Sequence, residues 1–191
     1  MIEVLKPGLE TSVQDFPGRI GYWNQGFPPS GPMDSWSFRL ANILVGNAPG
    51  AAGLEAQYIG PTLRFQRDTV IALTGADMGA KLDHAPVPLW RSVAVRAGQV
   101  LTMGAAKIGT RGYLAVAGGI ATEPWLGSRS TFHQAGVGGM DGSALKIGHV
   151  IPVAAGAGPQ PQRDIHAFGH EVDDRVGQHE LKVYIRKLLS K

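Results

Sequence analysis

The sequence contains no cysteine. Disulfides, thiolate zinc sites and a cysteine nucleophile are therefore excluded. Charge is scarce as well: charged residues make up 17% of the 191 positions, and the net charge is only +3. The basic residues Arg19, Arg39, Arg64, Arg67, Lys81, Arg91 and Arg96 are scattered, with no stripe of Lys and Arg interleaved with aromatics. That pattern argues against a nucleic-acid partner. A short basic cluster, Lys182–Lys191, reads as a solvated helix face. No run reaches the ~18 apolar residues of a membrane span, and the start of the chain lacks the basic and apolar regions of a signal peptide. A soluble cytoplasmic protein is expected. Also missing are a G-x-S-x-G elbow, a Walker A loop and a G-x-G-x-x-G turn after a strand.

What the sequence does have is punctuation: 27 glycines and 13 prolines, against 43% hydrophobic residues. Gly and Pro break helices and bound short strands. Short apolar runs recur at spacings near ten residues: Ile2–Leu5, Thr11–Asp15, Leu54–Ile59, Thr62–Phe65, Val70–Thr74, Val93–Arg96, Val100–Gly104, Tyr113–Ala117 and Leu145–Val153. This predicts a mainly β chain, as a sandwich or a closed barrel. One helix is predicted after Asp34, a good N-cap, with Trp36, Leu40, Ile43 and Leu44 on its buried face. Gly46 and Asn47 are suitable stop residues. Residues 1–153 form the expected domain. Residues 154–191 are a linker, Ala154–Gln162, and a polar tail with a terminal helix over His179–Lys191.

Several loops carry chemistry-bearing residues. Ser30 precedes Gly31 and Asp34 follows four positions on, so the segment is either a capped helix start or a wall of a site. Gln14-Asp15 ends a strand, and its carboxylate can act as a base or start a turn. Thr74-Gly75-Ala76-Asp77 repeats that arrangement, with small residues that let a ligand approach the backbone. Gly127-Ser128-Arg129-Ser130-Thr131 sets a cation among three hydroxyls, suited to an anionic oxygen. Glu55 alternates with apolar neighbours, so it faces solvent or a polar lumen. Gly136-Val-Gly-Gly-Met-Asp-Gly reads as a tight turn or a phosphate loop, without the Lys-Ser or Lys-Thr that would follow a Walker motif. His166, His170 and His179 do not complete a zinc pattern, and no metal site is expected.

Six ordered segments carry a family resemblance: "LKPGLETSVQDFPGRIGYWNQGFPPSGPMDSWSFRLANILVGN", "GLEAQYIGPTLRF", "IALTGAD", "RGYLAVAGGI", "LGSRSTF" and "GGMDGSALKIGHVI". From Ile2 to about Pro152 the chain resembles allophanate hydrolase subunit 2, also called the KipI antagonist or the C subunit of bacterial ATP-dependent 5-oxoprolinase. Related modules occur in the carboxyltransferase domain of urea carboxylase. The resemblance implies a cyclophilin-like β-barrel with one or two short helices. It implies ATP-linked opening of the small-molecule lactam 5-oxoproline to glutamate, shared with the A and B subunits of 5-oxoprolinase, the second of them KipI-like. ATP is used by the complex; biotin enters only under the urea-type alternative. A second alternative is a regulatory module that docks on the KipI-like B subunit without turnover.

That chemistry needs donors for a developing oxyanion, a cation and a base. Asp15, Ser30, Asp34, Asp77 and Arg129 are the residues expected to carry it. Gln14, Gly31, Met33, Glu55, Gly75, Gly118, Gly119 and Ser128 are expected around the substrate. Two positions depart from the family pattern: Ser143 stands where Arg is usual, and His149 where Asp is usual. Family members also have a second half with its own barrel-like region. The tail from Pro159 to Lys191 does not resemble it, so a truncated copy, inactive alone, is expected.

Overall fold

Alternating burial explains the middle of the fold. A computed structural model describes residues 1–156. In it, strand β5 (Thr69–Asp77) sends Ile71 and Leu73 into the main core, while Val70 and Ala72 face a helix on the other side. Both faces are covered, so the strand is apolar almost throughout. Its neighbour β10 (Ile108–Val116) does the same, with Leu114 and Val116 inward and Ala115 toward the helix.

These two strands belong to an antiparallel sheet of five. The sheet order is β2 (Glu10–Gln14), β3 (Gly53–Gln57), β10, β5 and β8 (Ser92–Val95). A second antiparallel sheet holds β11 (Val150–Ile151), β1 (Ile2–Lys6), β4 (Thr62–Phe65), β9 (Val100–Thr102), β6 (Lys81–Leu82) and β7 (Ala85–Pro86), in that order. The two sheets enclose one core that includes Ile2, Val4, Val13, Leu54, Leu63, Phe65, Ile71, Leu73, Leu101 and Leu114. Isolated bridges Ile59–Ala105 and Ile120–Val153 add pairing beyond the ladders. The mainly β architecture with one α-helix is as expected.

The helix, α1 (Ser35–Leu44), starts where the sequence predicts. Asp34 Oδ1 accepts from Trp36 N at 3.0 Å and Ser37 N at 3.1 Å, and Oδ2 accepts from Ser37 Oγ at 2.5 Å. These bonds satisfy first-turn donors that have no partner within the helix. The buried face differs from the prediction. Ser37, Phe38, Ala41, Asn42 and Leu44 are buried, whereas Trp36, Leu40 and Ile43 are only half-buried. Hydropathy alone misses this because two of the buried residues are polar but bonded. Thr74 Oγ1 donates to the Ser37 carbonyl at 2.7 Å, and Asn42 Nδ2 donates to the Ala51 carbonyl at 2.8 Å.

Strand boundaries also differ, most at β10, which begins at Ile108, five residues before the predicted run. The run Leu145–Val153 forms a strand only at Val150–Ile151, because residues 146–149 turn: His149 N donates to Lys146 O and Gly148 N to Val4 O. The strand predicted to end at Thr74 continues to Asp77, paired with β10. The strand predicted to reach Ile59 stops at Gln57, because Tyr58 adopts a φ of 57°. The hairpin of β6 and β7 has no counterpart in the predicted runs. The histidines His166, His170 and His179 and the terminal helix over His179–Lys191 lie outside the described residues, as does the linker beyond Gly156.

Candidate functional site

At the end of β2 two networks meet, one on each side of the chain. The first belongs to Asp15. Its Oδ1 accepts from Ser128 Oγ and from Ser130 Oγ, both at 2.6 Å, and its Oδ2 accepts from Arg129 N at 2.7 Å. Asp15 N donates back to Ser130 Oγ at 2.9 Å. The carboxylate is thus an anchor for the 128–130 loop, with both oxygens engaged. Arg129 is half-buried, and its Nε donates to the Thr122 carbonyl at 2.7 Å.

The second network lies on the outer face of the five-stranded sheet. Register places Ser12, Glu55, Tyr113 and Thr74 in one row across β2, β3, β10 and β5. Glu55 Oε1 accepts from Arg111 Nη1 at 2.6 Å, and Oε2 accepts from Met33 N at 2.8 Å. Tyr113 OH accepts from Asp34 N at 2.8 Å, and Glu55 is its direct cross-strand neighbour. Gln14 Oε1 accepts from Gly31 N at 3.0 Å, while its Nε2 donates to Ser12 Oγ at 3.0 Å. Glu55 therefore faces neither solvent nor a lumen. It is 6% exposed and lies under the loop that precedes α1. Burial, reinforced by the negative Glu55, pushes the Tyr113 phenol well above its usual range.

Between the networks lies Ser30. Three side chains clamp the backbone after it, from Gly31 to Asp34. Ser30 itself is left-handed, with φ 57°, and its hydroxyl makes no hydrogen bond among the described residues. A non-glycine residue held in that conformation costs roughly 1 kcal/mol. The surrounding bonds sustain it. Met33 projects its side chain into solvent, 72% exposed.

Arg19, which reads in the sequence as one of several scattered cations, is 1% exposed. Its Nη2 donates to Ser130 O at 2.9 Å and its Nε to Trp125 O at 3.3 Å, and the guanidinium lies 4.8 Å from the Trp125 ring centroid. Its backbone N donates to Pro29 O at 2.6 Å. Burial pulls its pKa down, and the Asp15 charge opposes that pull. Arg19 thus joins the 29–30, 125 and 130 segments. Nothing in local sequence signals this, because a loop arginine ordinarily faces water. Tyr113 is more legible: a tyrosine buried in a strand requires a partner for its hydroxyl.

A groove of about 740 Å³ opens beside this corner, between Ala121–Trp125 and the glycine loop Gly136–Gly142. Phe27 packs edge-on to Trp125 at 4.9 Å, so Trp125 is held between Phe27 and Arg19. Thr122 Oγ1, which belongs to the groove lining, is buried without a partner. At the rim, Asp141 accepts from Lys146 Nζ at 2.5 Å and Ser143 Oγ at 2.6 Å, with His149 Nε2 at 3.7 Å. Those donors, Lys146 first, pull the Asp141 carboxyl down to about 2. Ser143 and His149, the two departures from the family pattern, both contact this one carboxylate. Among the described residues, no cluster of three or more His, Cys, Asp or Glu is arranged to hold a metal, and no helix is long and apolar enough to cross a membrane.

The structure brings together Gln14, Asp15, Ser30, Gly31, Met33, Asp34, Glu55, Ser128 and Arg129. It does not bring in Asp77, which lies at the far end of β5 opposite Ile108 and accepts from Gly79 N. Gly75 sits within β5, and a Cβ there would lie 2.5 Å from Arg111 O and 3.0 Å from the Tyr113 ring. Its smallness serves that close approach. Gly118 N donates to Asn47 Oδ1 and Gly119 N to Val116 O, so neither amide is available to a ligand.

Comparison with known proteins adds a family. Residues 25–186 match the model described as carboxyltransferase domain, subdomain A and B. The urea amidolyase of Saccharomyces cerevisiae is 47% identical over 150 residues, covering 78% of this chain and 8% of that protein. The C subunit of 5-oxoprolinase from Escherichia coli is 40% identical over 153 residues, covering 80% of this chain and 49% of that protein. The crystal structure of Kluyveromyces lactis urea carboxylase superposes with a TM-score of 0.79 at 45% identity, covering 84% of this chain and 15% of that one. This chain therefore spans about half of the 5-oxoprolinase relative and a small part of the urea enzymes.

Proposed function

This chain belongs to the carboxyltransferase domain family, subdomains A and B, and we propose that it is one component of a multi-subunit enzyme acting on a small amide. The observation that carries the proposal is the Ser30 corner. An unbonded hydroxyl is held in a strained conformation, next to Pro29, which Arg19 ties to the 128–130 loop. As charge develops on an amide oxygen, fixed donors of this kind stabilise it. Asp15 and Asp34 have their oxygens engaged by backbone and hydroxyl donors. In this reading Asp15 and Asp34 position the corner, and a different group accepts the proton.

The first substrate reading is 5-oxoproline, opened to glutamate with ATP by this chain together with the A subunit of 5-oxoprolinase and its KipI-like B subunit. It is supported by similarity to two 5-oxoprolinase C subunits. Nucleotide is assigned to the complex rather than to this chain: the glycine loop carries no Walker lysine, and it presents the anionic Asp141 to the groove. The second reading is a urea-type substrate, favoured by the higher identity to the urea amidolyases. There, biotin would supply the carboxyl group. The unpartnered Thr122 hydroxyl beside Trp125 suits a ring carbonyl of such a group.

The test is reconstitution with the partner subunits, followed by two assays: ATP-dependent glutamate release from 5-oxoproline, and urea-dependent ATP hydrolysis with a biotinylated carrier. One assay is expected to show turnover that Arg129→Ala lowers by about 10²-fold. Turnover in neither assay, from correctly assembled subunits, would overturn the proposal.

A further inference from the structure

A second cavity, of about 430 Å³, lies at the opposite edge of the five-stranded sheet from β2. Its back wall continues the apolar face that α1 covers elsewhere. Val70 pairs with Ala94 in the β5–β8 register, and Ala117 N donates to Val70 O at 2.8 Å. The three residues thus form a row across adjacent chain segments. Val70 and Ala117 belong to the cluster under the helix. Ala94, at the same level on the edge strand, is exposed.

The rim is charged. Arg67, Asp68 and Arg96 line it. Asp68 Oδ1 is occupied by Ala97 N at 2.8 Å. Arg67 Nη2 is occupied by the carbonyls of Val153 and Ala154. The Arg96 guanidinium has no hydrogen-bond partner among the described residues. Two cations and one anion leave the rim with a single positive excess, and the unengaged fork is on Arg96.

We propose that this cavity binds a small amphipathic monocarboxylate, with its apolar body on Val70, Ala94 and Ala117 and its carboxylate on Arg96. The guanidinium fork matches a carboxylate in two parallel hydrogen bonds. Ala94, the exposed member of the row, gains by being covered, and the volume falls in the range of small-molecule sites. An amine is repelled by the two arginines, and a dianion is disfavoured by Asp68. The site is independent of the substrate reading at the Ser30 corner.

The probe is hexanoate, titrated calorimetrically into the full chain, with hexylamine and 1-hexanol as comparators. Hexanoate is expected to bind saturably and about tenfold or more tighter than hexanol, the loss expected for one charge-assisted hydrogen bond. Arg96→Gln weakens it by about tenfold or more, and Ala94→Phe, which fills the cavity, abolishes it. Both positions are exposed; a thermal melt verifies each fold, and if one variant loses its native transition the other decides. The proposal is overturned if hexanoate does not saturate the wild-type chain, if hexylamine binds equally well, or if folded variants bind hexanoate unchanged.

Discussion

Asp15 and Ser130, 115 positions apart in sequence, bond each other in both directions: Asp15 N donates to Ser130 Oγ at 2.9 Å, and Ser130 Oγ donates to Asp15 Oδ1 at 2.6 Å. Ser128 Oγ and Arg129 N add two more donors to the same carboxylate. This one side chain ties the loop after β2 to the 128–130 loop. Asp15→Asn replaces an acceptor with a donor against partners that are themselves donors. Urea denaturation is expected to show a loss of about 2–4 kcal/mol, from buried donors left without partners. A loss below about 0.5 kcal/mol, the scale of an ordinary surface substitution, would show that the carboxylate does not anchor the loop.

Ser30→Gly separates strain from function. Glycine accepts a φ of 57° without penalty. The variant is therefore expected to gain up to about 1 kcal/mol in stability. Turnover of the reconstituted enzyme is expected to fall, because the free hydroxyl is gone. Unchanged turnover in the stabilised variant would remove Ser30 from the site.

Tyr113 makes stability depend on alkaline pH. Its folded pKa is raised above that of the unfolded chain. Above about pH 10 the unfolded chain loses a proton that the folded chain keeps. Stability is then full below that pH and falls by up to about 1.4 kcal/mol per pH unit above it. Tyr113→Phe is expected to lose that alkaline slope and, at neutral pH, about 1–3 kcal/mol, since Asp34 N loses its acceptor. Denaturation at stepped pH, wild type against variant, measures both effects.

Asp141 gives the opposite dependence. Its folded pKa is held at about 2, below the ordinary 3.8, chiefly by Lys146. Its contribution is present above the ordinary value and is lost as pH falls through about 2. Lys146→Met is expected to move the carboxyl back toward 3.8, which a carboxyl-resolved NMR titration reads directly. An unmoved titration would assign the shift to Ser143 instead.

Short-range rules make much of the fold legible. Asp34 as cap, Gly46 as stop and the apolar runs of β1, β4 and β9 follow from turn chemistry and alternation. The same rules flag Asp15, Ser30, Ser128 and Arg129 one by one, but they flag Asp77, Gly118 and Gly119 equally, and the fold puts Asp77 elsewhere and occupies both glycine amides. They fail where a residue's environment comes from distant chain. Arg19 reads as solvated and is buried against Trp125. Glu55 reads as a choice between solvent and lumen, and the loop before α1 covers it. Asp77 reads as equivalent to Asp15, and the sheet puts it at the far end.

Where the helix begins and where most of the longer strands lie were settled by neighbours within a few residues, and so were present in the sequence; the β6–β7 hairpin and the turn before β11 were not. Which carboxylates are free and which are anchors was settled by the fold alone. A carboxylate's role depends on the donors around it. The arginine that holds Glu55 lies 56 positions away, and the serine that holds Asp15 lies 115 positions away. Folding brings them together because the buried backbone and side-chain groups of two sheets and one helix must find partners where water is excluded.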